Sequence, residues 1–297
     1  MKLSNFIKTF FLCAFLMVSL STSVFATEGG GSSSSNGSEG TMAGVLPPKG
    51  LYLINYTTYM HSDRFNDSNG NSAVPDFELK GTATIFRFVY MSDIELLGGH
   101  VGGHIILPFV HLELDTPAGS ESKTGMGDIQ MGLLNAWHFN NLHIALGPDI
   151  ILPSGSYDKD DIANIGRNYF TFEPVFAVTY LNESGFEVSA KFMYDINTEN
   201  SDTNYQSGQE FHFDSFVGLH KGPWTVGING YYYKQVTDDE LDGDKYLDGN
   251  KGQAMALGPE VKYDYKNMAF HLKYQQEFEV ENKAETDRFW FKFMYAF

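Results

Sequence analysis

The sequence predicts an all-β fold, a transmembrane antiparallel β-barrel of twelve strands with short periplasmic turns and long extracellular loops. Three observations lead there. The chain ends in Arg288-Phe-Trp-Phe-Lys-Phe-Met-Tyr-Ala-Phe297, which puts Phe289, Phe291, Phe293, Tyr295 and Phe297 on one face of a strand and Arg288 and Lys292 on the other. A barrel strand needs about 9–11 residues alternating apolar outward with polar inward. Stretches of the same period recur along residues 50–297, divided by joints that are alternately short and long. Finally, no stretch after residue 26 is apolar enough for a membrane helix, yet aromatics make up 15% of the chain and mean hydropathy is −0.24. Half of each barrel strand is polar, so such a chain reads as hydrophilic on average. An edge strand of a soluble sandwich explains the terminal run less well, because a long hydrophobic edge invites aggregation.

In chain order, residues 1–26 read as a cleaved signal peptide: Lys2 and Lys8 precede the apolar run Phe10 to Leu20, and Val24-Phe25-Ala26 forms the cleavage site. The run is shorter than the roughly 20 residues of a bilayer span. The lone cysteine, Cys13, lies inside it, so the mature chain would have no disulfide, and no cofactor is expected. Cleavage takes the formal charge from −17 to −19, which excludes nucleic acid as a partner. Residues 27–49, with Gly29-Gly-Gly-Ser-Ser-Ser-Ser35, read as a flexible Gly/Ser-rich segment. Val45-Leu-Pro-Pro48 stands close to the first strand, and part of the segment is expected in or across the periplasmic mouth.

The barrel domain is 50–297, with strands expected near 50–60, 77–91, 100–112, 127–138, 142–153, 168–181, 186–197, 209–220, 223–236, 252–265, 268–280 and 287–297. Short joints fall at Asn140-Asn141, Asn182 to Gly185, Lys221 to Pro223 and Lys266-Asn267, with 92–99 as the least regular member. Long polar joints occupy 61–76, 113–126, 154–167, 198–208, 237–251 and 281–286. An even count leaves both barrel ends in the periplasm.

Parity then assigns faces. Phe170, Phe172, Phe176, Val178 and Tyr180 face lipid, and Tyr169, Thr171, Glu173, Val175 and Thr179 face inward. A charge on the lipid face near the midplane costs about 2–4 kcal/mol, so charges at depth fix the phase. The expected lumen charges are Arg87, Glu173, Glu187, Lys191, Glu210, His212, Asp214, Glu260, Lys262, Lys273 and Glu277, with Asp195, Asp264, His271 and Glu279 of the same parity. Glu173 and Glu187 are expected to neutralise Lys191, and Glu260 and Glu277 to neutralise Lys262 and Lys273. Val175, Met193, Phe216, Trp290 and Met294 are the candidate apolar lumen patch. Tyr52, Tyr56, Tyr90, Trp137, Tyr180, Tyr263 and Tyr295 are candidate interfacial girdle residues.

Ile151-Leu-Pro-Ser-Gly-Ser-Tyr-Asp-Lys-Asp-Asp161, Asn164-Ile-Gly-Arg-Asn168, Tyr169-Phe-Thr-Phe-Glu-Pro-Val175, Ser207-Gly-Gln-Glu-Phe-His212 and Asp287-Arg-Phe-Trp-Phe-Lys292 resemble blocks of the family named for the meta pathway of phenol degradation. The resemblance implies an outer-membrane barrel that passes small hydrophobic, often aromatic, compounds, similar in role to fatty-acid and toluene channels. The terminal row Phe289, Phe291, Phe293, Tyr295 and Phe297 resembles the signal read by the barrel assembly machinery of Gram-negative bacteria. Outer-membrane lipid and lipopolysaccharide are then the surrounding partners. A narrow polar-solute pore, or a barrel that fills its lumen and transports nothing, are the alternatives. A lipid hydrolase is disfavoured: Gly98-Gly-His-Val-Gly-Gly-His104 has no serine at the spacing of a His-x-Ser-Asn-Gly motif. No catalytic residues are expected. Asp238-Asp-Glu240, Asp242, Asp244 and Asp248 read as a solvated acidic loop before they read as a calcium site, and no histidine pair lies two apart on a strand face, so no metal is expected.

Overall fold

A computed structural model describes residues 28–297; the signal peptide expected at 1–26, and Thr27, lie outside the described residues. After a 3-10 turn at Glu28–Gly30 the strands are, in chain order, β1 (Gly50–Ser62), β2 (Glu78–Leu96), β3 (Gly99–Thr116), β4 (Gly119–Met126), β5 (Ile129–Phe139), β6 (Leu142–Leu152), β7 (Thr171–Leu181) and β8 (Phe186–Asn197). They continue as β9 (Tyr205–Gln206), β10 (Glu210–Lys221), β11 (Trp224–Gln235), β12 (Glu240–Leu241), β13 (Asp244–Lys245), β14 (Gln253–Tyr265), β15 (Met268–Glu281) and β16 (Asp287–Ala296). Each long strand pairs antiparallel with its neighbour in the chain, and β1 pairs with β16, closing the ring. β4 and β5 both pair with β3, Phe109 against Met126 and Ile106 against Gln130, so together they make one interrupted stave. The barrel therefore has twelve staves, as the alternation predicts. β9, β12 and β13 form a small separate sheet in the loops.

The period of two decides which side chains are covered. In β7 Thr171, Glu173, Val175, Ala177 and Thr179 are buried, while Phe172, Phe176 and Tyr180 are exposed. Outward rings run from strand to strand: Phe176 lies 6.1 Å from Phe192, Phe192 5.5 Å from Phe213, and Phe213 5.9 Å from Tyr232. Leu133, Val217, Leu219, Val226, Ile228, Leu257, Leu272 and Phe289 join this exposed apolar belt. A belt of that extent requires a hydrocarbon surround. Tyr90, Tyr180 and Tyr265 are exposed on it, the Trp224 and Tyr263 rings lie 4.5 Å apart at a tilt of 50°, and Trp137 donates to the Leu97 carbonyl. Tyr56 is not a girdle residue: it is buried at 4% exposure on the inner face, and Tyr52, on the same parity, donates to the Pro48 carbonyl.

Three further expectations shift. Residues 113–126 are not a loop, since β3 runs to Thr116 and turns at once into β4. The joint at 92–99 is a two-residue turn, Leu97 and Gly98 both at positive φ (53° and 78°), following an irregularity between Met91 and Glu95. In β15 a bulge puts Glu279 at φ 52°; its carboxylate turns outward and Val280 takes the buried place.

The Gly/Ser-rich segment differs most from expectation. Residues 28–49 form an ordered thread through the lumen, entering at the loop rim and leaving at the turn rim where β1 begins. At the top, Glu28 accepts from Asn200 (2.6 Å) and Tyr157 (3.3 Å). At mid-depth the Gly37 and Glu39 amides donate to Asp214 at 2.7 and 2.9 Å. Lower down Gly44 donates to Thr179 at 2.9 Å. The glycines that read as flexibility serve close approach. Gly37 has φ 74°, and a Cβ on Gly44 would stand 2.7 Å from the Thr179 nitrogen and the Val178 carbonyl carbon.

Candidate functional site

The lumen is divided. Its inner face on β7, β8, β10, β11, β14, β15 and β16 is polar and buried, and residues 28–49 lie against it. Glu39 is the centre of the contact: its carboxylate accepts from Tyr56 (2.8 Å), Arg87 (2.7 Å) and Lys292 (2.7 Å). Arg87 also reaches His104 Nδ1 at 3.0 Å, and His104 Nε2 reaches Asp149 at 3.0 Å. A guanidinium can only donate, so Nδ1 accepts and the proton on Nε2 points at Asp149.

Apart from Glu279, the predicted lumen charges face inward; Glu260 is registered opposite Lys273, but the expected strand-to-strand ladders do not close as hydrogen-bonded ion pairs. Lys273 donates to the carbonyls of Gly37, Ser38 and Glu39 at 2.5, 2.8 and 3.0 Å. Glu187 accepts from Thr41, the Met42 amide, Ser189 and His220, with no hydrogen bond to Lys191. Lys262 pairs with Asp264 at 3.0 Å, Glu260 with His271 at 3.3 Å, and Glu277 accepts from Tyr231 and the Thr286 amide. Lys191 lies within attraction of Glu173, Asp149 and Glu39. The polar wall is thus matched chiefly to the thread and only secondarily to itself.

Across that wall Asp149, Glu173, Asp195 and Glu210 stand in one row on β6, β7, β8 and β10. Asp149 is registered against Glu173 and Asp195 against Glu210, and the β7–β8 register, Phe172 on Ile196 and Val175 on Met193, sets Glu173 opposite Asp195. All four are buried. Gln130 donates to Asp149 and Glu173, and Ser34 of the thread donates to Glu173. His212 lies below the row, its Nε2 3.5 Å from Asp195 and 3.6 Å from Glu173.

The opposite wall is apolar. Ile106, Pro108, Val110, Leu112 and Leu114 of β3, with Ala83 and Ile85 of β2 and Met60 of β1, face residues Gly30 to Asn36 across a cavity of about 300 Å³. Phe65, Phe77 and Ala163 close its upper end. Thr58, Ala83 and Val110 also reach a second hollow of about 300 Å³, whose other lining residues include the outward Thr57, Thr82, Thr84 and Phe109. The five residues expected to form an apolar patch are elsewhere. Trp290 and Met294 pack with Ile54, Tyr56 and Met91; Val175 is paired with Met193; Phe216 lies over Gly218 and Gly227; none lines the cavity. The missed signal is in β3, whose run Ile105-Ile-Leu-Pro-Phe-Val110 is apolar on both parities, unlike a strand with a wet inner face.

The loop 153–170 roofs the cavity. A Cβ on Gly155 would stand 2.8 Å from the Gly166 Cα, and the Asp128 carboxylate accepts from the Gly155 (2.8 Å) and Arg167 (2.7 Å) amides. In the acidic loop, Lys251 and Lys245 hold the Asp238 carboxyl below its usual range. Burial pushes the Asp239 carboxyl up, against donors on Tyr205, Gly208, Asn250 and Gln235. These contacts tie the loops to one another.

A closed ring of twelve antiparallel staves, apolar outside and threaded inside, defines a transmembrane β-barrel. The chain belongs to the family described as the MetA-pathway of phenol degradation, which it matches over residues 62–293. Its fold is that of an outer-membrane channel from Pseudomonas putida F1, with TM-score 0.78 at 15% identity, covering 86% of this chain and 98% of that one. The translocator domain of the autotransporter NalP from Neisseria meningitidis is more distant, with TM-score 0.50 at 9% identity over 84% of this chain and 90% of that one. No curated protein matches the chain.

Proposed function

We propose that this barrel resides in the outer membrane of a Gram-negative bacterium and admits small hydrophobic, including aromatic, molecules by passive diffusion. The observation that carries the reading is the cavity between Gly30–Asn36 and the apolar inner face of β1 to β3. A hydrophobic solute there exchanges water for Ile, Val, Leu and Pro side chains, worth about 25 cal/mol per Å² of apolar surface covered. Asp128, Arg167, Glu277, Lys283 and Arg288 also border this cavity, and the solute would lie against the apolar side of it. Membership of a family named for phenol degradation, and the fold shared with a protein described as an outer-membrane channel, support the same reading. In this account lipid and lipopolysaccharide surround the exposed belt, and the assembly machinery engages the strand that ends at Phe297.

An enzymatic reading finds less support. Thr225 reaches His220 at 2.9 Å and His220 reaches Glu187, but Thr225 is buried and Glu187 already accepts from Thr41, Met42 and Ser189. That cluster anchors the thread at the turn rim. Liposome flux decides between the transport readings. Protein-dependent entry of an aromatic hydrocarbon exceeding that of a small sugar is expected. Sugar entry without aromatic entry would leave a polar pore, and no entry of either a barrel that does not transport.

A further inference from the structure

We propose that Glu173, Asp195 and His212 form a binding site for a divalent transition-metal cation of the zinc class inside the lumen. One donor atom from each of the three lies within 4.8 Å of the others. The side chains arrive from three adjacent strands, β7, β8 and β10, which explains why a search for histidines two apart along one strand passes over them.

The distances separate an ion site from an ordinary buried ion pair. A charge-assisted N–H···O bond is about 2.7–2.9 Å long. His212 Nε2 stands 3.6 Å from Glu173 and 3.5 Å from Asp195, too far for that bond. Ligands held about 2.0–2.1 Å from a tetrahedral zinc are separated by roughly 3.4 Å, the edge of the tetrahedron, so both distances suit donors that share an ion.

Hydrogen bonding gives the second, independent observation. Buried polar atoms in folded proteins nearly always have a partner. Here both oxygens of Asp195 and both ring nitrogens of His212 are buried with no hydrogen bond, and so is Oε2 of Glu210, which is registered opposite Asp195. Asp195 and His212 are 0% and 1% exposed. Like charges directly opposite on paired strands repel, and Lys191, attracted to Glu173 and Asp149, is a single cation beside a row of four carboxylates, which a bound divalent ion would offset further.

Donor type selects the ion. Calcium and magnesium prefer all-oxygen shells, whereas one imidazole with carboxylates suits zinc and its neighbours. Because Glu173 also accepts from Ser34, the ion would tie the barrel wall to the threaded segment.

The test uses the mature chain, purified in detergent without a histidine tag and freed of metal with a chelator. His138 and His143 form an exposed pair with Nδ1 atoms 2.8 Å apart, a competing zinc site, so all measurements use a His143→Ala background. Titration with Zn²⁺ against a chromophoric competitor is expected to give one tight equivalent. His212→Ala and Asp195→Asn should weaken it at least about tenfold, while His271→Ala, outside the triad, leaves it unchanged. No tight equivalent in the parent, or unchanged affinity in both variants, overturns the proposal. If the variants do not fold, Co²⁺ added to the parent is the deciding measurement: visible d–d absorption of a low-symmetry site is expected, and a hexaaqua-like spectrum overturns it.

Discussion

Glu39 shows what a single carboxylate does when it is the shared counter-ion of two buried cations. Its partners Tyr56, Arg87 and Lys292 stand 17, 48 and 253 residues away in sequence. That Arg87 faces inward follows from the sequence, since the lipid side would cost about 2–4 kcal/mol at depth. That its partner is an acid in a Gly/Ser stretch does not follow, because nothing local to Gly37-Ser-Glu-Gly40 marks it as packed. Removing one member of a buried pair leaves the other charges uncompensated, at about 3–5 kcal/mol. Glu39→Gln is therefore expected to lower the unfolding free energy of the barrel in urea by that amount. A midpoint and slope equal to wild type would show that the carboxylate does not hold these cations.

At the scale of the element, a strand is legible in proportion to how different its two faces are. β7, β8 and β16 alternate aromatic with polar, and their faces read directly from the sequence. β4, Gly119-Ser-Glu-Ser-Lys-Thr-Gly-Met126, carries no apolar face because it rises beyond the belt, and so it reads as loop. The bulge that turns Glu279 outward depends on a backbone at positive φ that no glycine announces. β16 closes the ring against β1, and the Phe297 amide donates to the Leu51 carbonyl at 3.1 Å while its ring is 71% exposed. The ring adds little packing inside the finished barrel, so a charge at this position acts on recognition and insertion more than on folded-state stability. Phe297→Asp is expected to reduce heat-modifiable barrel in outer membranes severalfold while protein that does assemble keeps a near wild-type unfolding temperature. Normal amounts would remove the terminal aromatic row from assembly.

For the whole molecule, the fold was readable and the division of the lumen was not. Alternation fixes which residues point inward, but it is silent on what fills the interior. Residues 28–49 were composed as a linker, with glycine where backbones touch and serine where carboxylates wait, as Gly44 at Thr179 and Ser34 at Glu173 show. The same small residues give opposite readings in solvent and in a crowded lumen. One consequence separates the thread from its counter-ions. Glu39→Gln strands Arg87 and Lys292 under an intact plug, whereas deleting 28–44 opens the lumen and lets water solvate them, along with Lys273 and Asp214. The deletion should therefore cost less stability than the sum of its lost contacts and should change transport strongly. Single-channel conductance in planar bilayers is expected to rise severalfold, and a small sugar excluded by the full chain should enter liposomes. Conductance equal to that of the full chain would mean that residues 28–44 do not form the constriction, and that the apolar wall alone sets what passes.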